Sequence, residues 1–312
     1  MITTKQYSIP VLFVVFNRPE IALKSFKAIK KISPHRLYIA SDAPRETVPN
    51  EKELVEETRN KILREIDWDC EIHTLFQEKN LGCGLGVYTA ISWLFEHEEC
   101  GIILEDDCVV NNSFFAYMEE LLTRYATDDR IGMIAGTNPL LQFDSKNSYI
   151  FSKYKSCWGW ASWRRAWKNM ELDMDWRIHE YESVLKNAGY CAKDYNGWRY
   201  KIKCIDKNIV SAWDWQWYFS LSANNQLCIY PIKNLVSNIG TDANATHTSG
   251  GEITLENFSL VFPLQHPQYV VPNYQFDKLF YKKSNTMIIK FKRLIPISLK
   301  KKLKKIIVKL KK

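Results

Sequence analysis

Gly101-Ile-Ile-Leu-Glu105-Asp106-Asp107 is the stretch on which the fold turns. Its apolar residues run without alternation and stop at three carboxylates, as in a strand covered on both faces that ends at a site. Working outward, Pro10 to Phe16, Arg36 to Ser41, Glu71 to Phe76 and Ile131 to Ala135 read as further strands. Between them Glu20 to Lys31, Glu51 to Ile66, Leu85 to Glu98 and Ser113 to Tyr125 carry apolar residues near 3.6-residue spacing and read as helices. Strands alternating with helices predict an α/β chain, doubly wound, with a mainly parallel central sheet and helices on both faces. Ligands of such sheets sit outside the carboxyl ends of the strands, so the residues that follow each strand are where chemistry is expected.

Residues 1–135 form this regular half. Residues 136–277 change character, because nine of the eleven Trp lie between Trp158 and Trp217 and the alternation becomes irregular. They read as a second half of the same domain that binds something different. Residues 278–312 are a third unit, holding 14 of the 43 Lys and Arg and none of the 35 Asp and Glu. The remaining body has 29 basic against 35 acidic residues, a net charge of −6, which argues against a nucleic-acid-binding surface. Leu299, Leu303, Ile306 and Leu310 recur at helical spacing among lysines, so residues 297–312 are expected to form a basic amphipathic helix suited to an anionic membrane surface. A solvated or partner-binding helix is the alternative.

The 312 residues are 46% apolar and 25% charged, which excludes disordered and low-complexity classes. The eight cysteines include no C-x-x-C pair and read as reduced thiols of a cytosolic protein. The apolar run Ile9 to Phe16 has the length of a strand, and the uncharged stretch Asn257 to Phe276 is broken by Pro263, Pro267 and Pro272, so neither reads as a membrane span.

Glu105, Asp106 and Asp107 repel one another unless a cation or several donors neutralise them, and hard oxygen ligands suit Mg²⁺ or Mn²⁺ completed by phosphates and water. An acidic turn capping the next helix is the alternative, although Asn111 or Asn112 can supply that cap. Asp42, at the end of the second strand, suits hydrogen bonds to a nucleotide base or ribose, or starts the turn before Pro44. Asn17 and Arg18 end the first strand, where Arg18 suits a phosphate or simply the surface. Gly82-Cys83-Gly84-Leu85-Gly86 opens a helix and offers backbone N–H groups to a phosphate, but it lacks dinucleotide or P-loop spacing and reads rather as a tight turn. Trp213-Asp214-Trp215-Gln216-Trp217 sets one carboxylate among large rings, where desolvation favours a general base; helix capping within an aromatic core is the alternative. Rings of Trp158, Trp160, Trp213 and Trp215 offer flat faces to sugar C–H groups, although most Trp of Cys157 to Trp163 read as packing. His247 lies in the polar stretch Gly240 to Gly251, which reads as a mobile lid; its ring suits a diphosphate or a metal, and an exposed loop histidine without a role is the alternative.

The order VLFVVFNRP (11–19), Asp42, GIILEDDC (101–108), SCWGWASWRRAW (156–167), WDWQW (213–217) and NLVSNIG (234–240) with THTSGG (246–251) resembles nucleotide-diphospho-sugar transferases of the Rossmann-like GT-A fold. It is similar in particular to bacterial relatives of the Golgi N-acetylglucosaminyltransferase that starts complex N-glycans. The resemblance implies that Asp107 binds a divalent metal, usually Mn²⁺, and that Glu105 and Asp106 contact donor sugar and ribose. It further implies that Asp42 contacts the base, Asp214 deprotonates the acceptor hydroxyl, and the His247 loop orders over the donor. The expected activity is inverting transfer from a UDP-linked sugar to a glycan or lipid-linked acceptor in surface polysaccharide synthesis, at the inner face of the cell membrane. A retaining transferase, a sugar-phosphate nucleotidyltransferase and a non-enzymatic glycan- or membrane-binding protein are the alternatives.

Overall fold

The computed structural model describes residues 6–208, 213–240 and 255–286. His247 and the 297–312 segment lie outside the described residues. The regular half runs β1 (Val11–Val15), α1 (Pro19–Ile32), β2 (Arg36–Ser41), α2 (Glu51–Arg64), β3 (Glu71–Phe76), α3 (Gly82–His97), β4 (Cys100–Glu105), β5 (Cys108–Val110), α4 (Ser113–Arg124) and β6 (Ile131–Ala135). There follow β7 (Tyr149–Ser152), β8 (Trp160–Trp163), α5 (Arg164–Trp167), α6 (Tyr181–Ala188), α7 (Ala192–Asp206), α8 (Asp214–Ala223), β9 (Leu227–Pro231), β10 (Val236–Asn238) and α9 (Tyr274–Ser284).

Eight strands make one sheet in the order β3-β2-β1-β4-β8-β6-β9-β7, and β10 pairs β5 in a separate ribbon. β3, β2, β1 and β4 are parallel, as are β6 and β9. Successive side chains of each central strand are apolar because both sheet faces are covered. Val11, Phe13 and Val15 pack towards α1 and α4, while Leu12 packs towards α3 and the helices of the second half. The expected α/β architecture, a mainly parallel sheet between helical layers, is therefore present.

Two local expectations are corrected. Strand β8 enters between β4 and β6 and is antiparallel to both, so the parallel order of the first half is interrupted. Its four residues, Trp-Ala-Ser-Trp, are too short for a period to show, and Gly159 at φ +58° makes the entry possible: a Cβ there would meet Val236 Cγ2 at 2.9 Å. The Gly82 to Gly86 stretch is the first turn of α3 and not a free tight turn. Helix α1 follows its sequence signals, with Pro19 at its start and Ala22, Ser25, Phe26 and Ile29 on one buried stripe.

Strand order reverses at β1, which has β2 on one side and β4 on the other, and the C-terminal ends of β1 and β4 open a crevice there. The second half supports it from behind through a Trp cluster: Trp167 and Trp217 approach to 4.9 Å, and Trp160 stacks on Trp213 at 5.7 Å.

A buried polar group reports on the sheet's far side. Lys155 Nζ donates to Ser222 Oγ at 2.6 Å, and burial pushes the amine from 10.5 down to about 7, against opposing pulls from Cys228 and Asp277. Between about pH 7 and 10.5 the unfolded chain binds a proton that the folded chain does not, so this group makes stability rise with pH across that window. Below pH 7 the cost of the buried ammonium is present in full. In urea unfolding, the stability difference between Lys155→Met and wild type is expected to favour the variant most at pH 7 and to narrow towards pH 10.

Candidate functional site

Among the described residues Glu105 and Asp106 line the crevice, Asp107 follows them in the turn, and Asp214 lies within electrostatic reach of Glu105. Glu105 ends β4, Asp106 and Asp107 form the turn into β5, and Asp214 is the first residue of α8, where the helix N-terminus favours negative charge. Burial pushes Glu105 up to about 8, and the charges of Asp107, Asp106 and Asp214 add to the rise. Burial likewise holds Asp106 up at about 6, opposed by Arg18.

Arg18 reaches across from the end of β1. Its Nη2 donates to Asp106 Oδ1 and, at 2.9 Å, to Asp107 Oδ2, while Nε donates to Asp106 Oδ2 at 3.3 Å. Burial pulls the guanidinium pKa down, but the two aspartates more than offset it, and Arg18 stays charged. The second strand of the small ribbon closes the other side. Asn238 Nδ2 donates to Asp107 Oδ1 at 3.1 Å, and Ile239 N donates to the Asp107 carbonyl at 2.9 Å. Gly240 lies so close that a Cβ on it would stand 2.1 Å from Asp107 Oδ2, so only glycine fits.

A cleft of about 170 Å³ lies beside this turn. The ends of β1 (Phe16 to Arg18) and β2 (Ser41, Asp42) line it, with Arg45, Gln77, Asn80, Cys83 of α3 and Glu105 completing the wall. Asn17 Nδ2 donates to Glu51 Oε1 at 2.8 Å. Glu51 is buried and also accepts from the Arg45 backbone and side chain, and that guanidinium lies 5.6 Å from the Phe16 ring centre. Burial also pushes the Cys83 thiol up to about 12, with Glu105 the nearest acidic influence.

The sequence-predicted residues separate by role. Asn17, Arg18, Asp42, Glu105 and Asp106 all line the cleft. Asp107 is bound to Arg18, and Asp214 acts electrostatically on Glu105. Asp42, however, is already hydrogen-bonded by protein: Oδ1 accepts from Ala43 N and Leu81 N, and Oδ2 from Gly82 N at 2.8 Å and from Asn80 Nδ2. It anchors the start of α3 and fixes Asn80. Asp106 is similarly taken up by Arg18. Trp160 is fully buried and Trp213 nearly so, which leaves neither ring a face for an acceptor; Trp158 and Trp215 are partly exposed. Lys201 Nζ lies 5.2 Å from the Trp215 ring centre.

Sequence reasoning missed Asn238, Gly240, Glu51, Arg45 and Asn80. Asn238 and Gly240 stand in the NLVSNIG motif, but nothing in the motif says that a strand would carry them onto Asp107.

The donor set is all oxygen, and one guanidinium against four carboxyl groups leaves room for a hard divalent cation. Among the described residues no group of three or more His, Cys, Asp or Glu side chains is arranged to enclose a metal. Mg²⁺ is usually held by one or two carboxylates with its other shell positions left to phosphate and water, so the acidic turn needs no enclosing cluster to take such an ion.

No protein-family model matches the chain, and no curated protein matches it. Solved structures to which it is similar include a mannosyltransferase from Pyrobaculum calidifontis in complex with GDP-Man and Mn²⁺, with 12% identity, 70% of each chain covered and a TM-score of 0.40. Another is an apo UDP-glucose pyrophosphorylase, with 9% identity, 74% of this chain and 92% of that chain covered and a TM-score of 0.36. A third is the inositol-1-phosphate CTP transferase of T. maritima, with 10% identity, 55% and 77% covered and a TM-score of 0.31. At these levels the likeness carries no argument about the reaction, which is read from the site's own side chains.

Asp42→Ala removes acceptors for the backbone N–H groups of Leu81 and Gly82. It is expected to cost about 1–2 kcal/mol in urea unfolding, with faster amide exchange at those two positions.

Proposed function

We propose that this chain is an inverting, metal-dependent glycosyltransferase that moves a sugar from a nucleotide diphosphate, UDP-linked by our reading, to a hydroxyl of a glycan or lipid-linked acceptor. The observation that carries the reading is the position of Asp214 at the head of α8, near enough to the end of β4 for its charge to act on Glu105. A base on one side and a diphosphate site on the other is the layout of an in-line displacement. The motif order supports kinship with the Golgi N-acetylglucosaminyltransferase.

The nucleotide lies in the cleft between the ends of β1 and β2, with Phe16, Asn17, Gln77 and Asn80 around its base and ribose. Asp42 serves this subsite from behind by holding Asn80. Arg18 faces the diphosphate while tied to Asp106, so its charge is oriented before the donor arrives. Glu105 contacts the donor sugar. Asp107 would hold Mn²⁺ or Mg²⁺, which when bound neutralises charge developing on the leaving diphosphate. Asp214 accepts the acceptor hydroxyl proton, and the partly exposed Trp158 and Trp215 flank the acceptor. His247 is assigned to the donor side, and residues 297–312 to the anionic inner face of the cell membrane, where surface polysaccharide is made.

Sugar-phosphate nucleotidyltransferases typically carry a glycine-rich, basic loop after the first strand. Here α1 begins at Pro19, four residues after β1 ends, which disfavours that reading.

Asp214→Asn is expected to bind nucleotide sugar as wild type does while transfer falls about 10²–10⁴-fold; near-normal transfer would remove Asp214 from the base role. Asp107→Ala is expected to lose Mn²⁺ binding by electron paramagnetic resonance. Proton NMR of the product's anomeric centre separates inversion from retention.

A further inference from the structure

Strand β7 is an edge of the sheet, and an unpaired edge invites association with other chains. Residues 258–273 seal it. Gln265 O accepts from Ser148 N at 2.8 Å, Asn273 N donates to Phe151 O at 2.7 Å, and Leu260 N donates to Ser113 Oγ at 2.9 Å. Leu260, Leu264 and, at the start of α9, Phe276 point inward and anchor this strap to the core.

A strap with no task beyond sealing an edge would turn polar side chains outward. This one does the opposite. Six of the eleven large apolar side chains that stand exposed among the described residues fall between Val261 and Leu279. Val261 is 76% exposed, Tyr269 67%, Val271 61% and Tyr274 69%, with Phe262 and Leu279 less so. Apolar side chains concentrated in one short segment mark a surface that something covers.

The charge beside them identifies the occupant. Lys278, Lys282 and Lys283 are exposed on α9, and the 26 residues from 287 to 312 add eleven Lys and Arg and no acidic residue. On α9 Asp277 is buried against Ser152, and Glu120 is paired with His266, so the charge exposed on this face is mainly basic, which disfavours a second copy of the chain and suits a polyanionic surface. Tyrosines and aliphatic side chains next to lysines suit the level of lipid headgroups, where a ring end is apolar and its hydroxyl stays wet.

We propose that the outward side of the segment from Val261 to Lys283 lies against an anionic lipid surface, so that the folded body itself docks alongside the basic C-terminal residues. The proposal adds a face on the folded domain to the 297–312 assignment, and it stands whether or not the crevice transfers sugar.

Co-sedimentation of the full chain with vesicles tests it, using phosphatidylcholine alone and phosphatidylcholine mixed with phosphatidylglycerol. Wild type is expected to partition onto the anionic vesicles only. Tyr269→Ser/Val271→Ser/Tyr274→Ser, all at exposed positions, is expected to keep the wild-type unfolding midpoint and to weaken partitioning at least about tenfold. Val261→Ser alone gives a second, smaller loss from the other end of the strap. The apolar loss persists in high salt, whereas the loss caused by Lys278→Gln/Lys282→Gln/Lys283→Gln fades as screening removes the electrostatic share. Wild-type binding by the triple serine variant would overturn the proposal and leave docking to residues 287–312. So would failure of wild type to bind anionic vesicles, or a dimer that the serine variant dissociates without changing its vesicle binding.

Discussion

One guanidinium holds the site together. Three consecutive carboxyl groups at the end of a buried strand repel one another, and Arg18 from the neighbouring strand spans two of them, Asp106 and Asp107. Removing one partner of so enclosed a pair leaves charge without compensation, which typically costs about 3–5 kcal/mol. The pairing therefore constrains the β1 and β4 ends together, at the point where strand order reverses and the crevice opens. The ribbon of β5 and β10 completes the constraint by laying Asn238 and Gly240 against Asp107.

Behind the crevice, the second half contributes rigidity more than ligand contacts. Trp160, Trp167, Trp213 and Trp217 interlock under α8, so the first residue of that helix, Asp214, is set on a packed base. Carboxylates supported in this way keep their geometry as charge changes hands, which is what electrostatic preorganisation requires. Asp42 and Asp106 belong to the same supporting layer. Each lines the cleft, yet each spends its hydrogen bonds on the protein.

Much of this was legible in the sequence where one physical rule dominated. Continuous apolar runs identified β1, β2, β3, β4 and β6 because a sheet covered on both faces permits little else. The three acids that close β4 stand out because no core tolerates them unpaired. Strand β8 was not legible, since four residues with two Trp show no period and its place depends on Gly159. Asp42 was recognised as a strand-end acid, but its capping of α3 depends on a residue 39 positions away, Leu81. For Trp160 and Trp213 the choice between sugar platform and packed core is not legible, because ring chemistry does not reveal burial.

The account rests on a nucleotide diphosphate and a divalent cation sharing the crevice. Calorimetric titration of wild type with a panel of UDP- and GDP-linked sugars, in Mn²⁺ and then in chelator, tests that most directly. The account predicts binding of a nucleotide sugar with Mn²⁺ that is lost in chelator. Binding unchanged by chelation, or no binding under either condition, would contradict it.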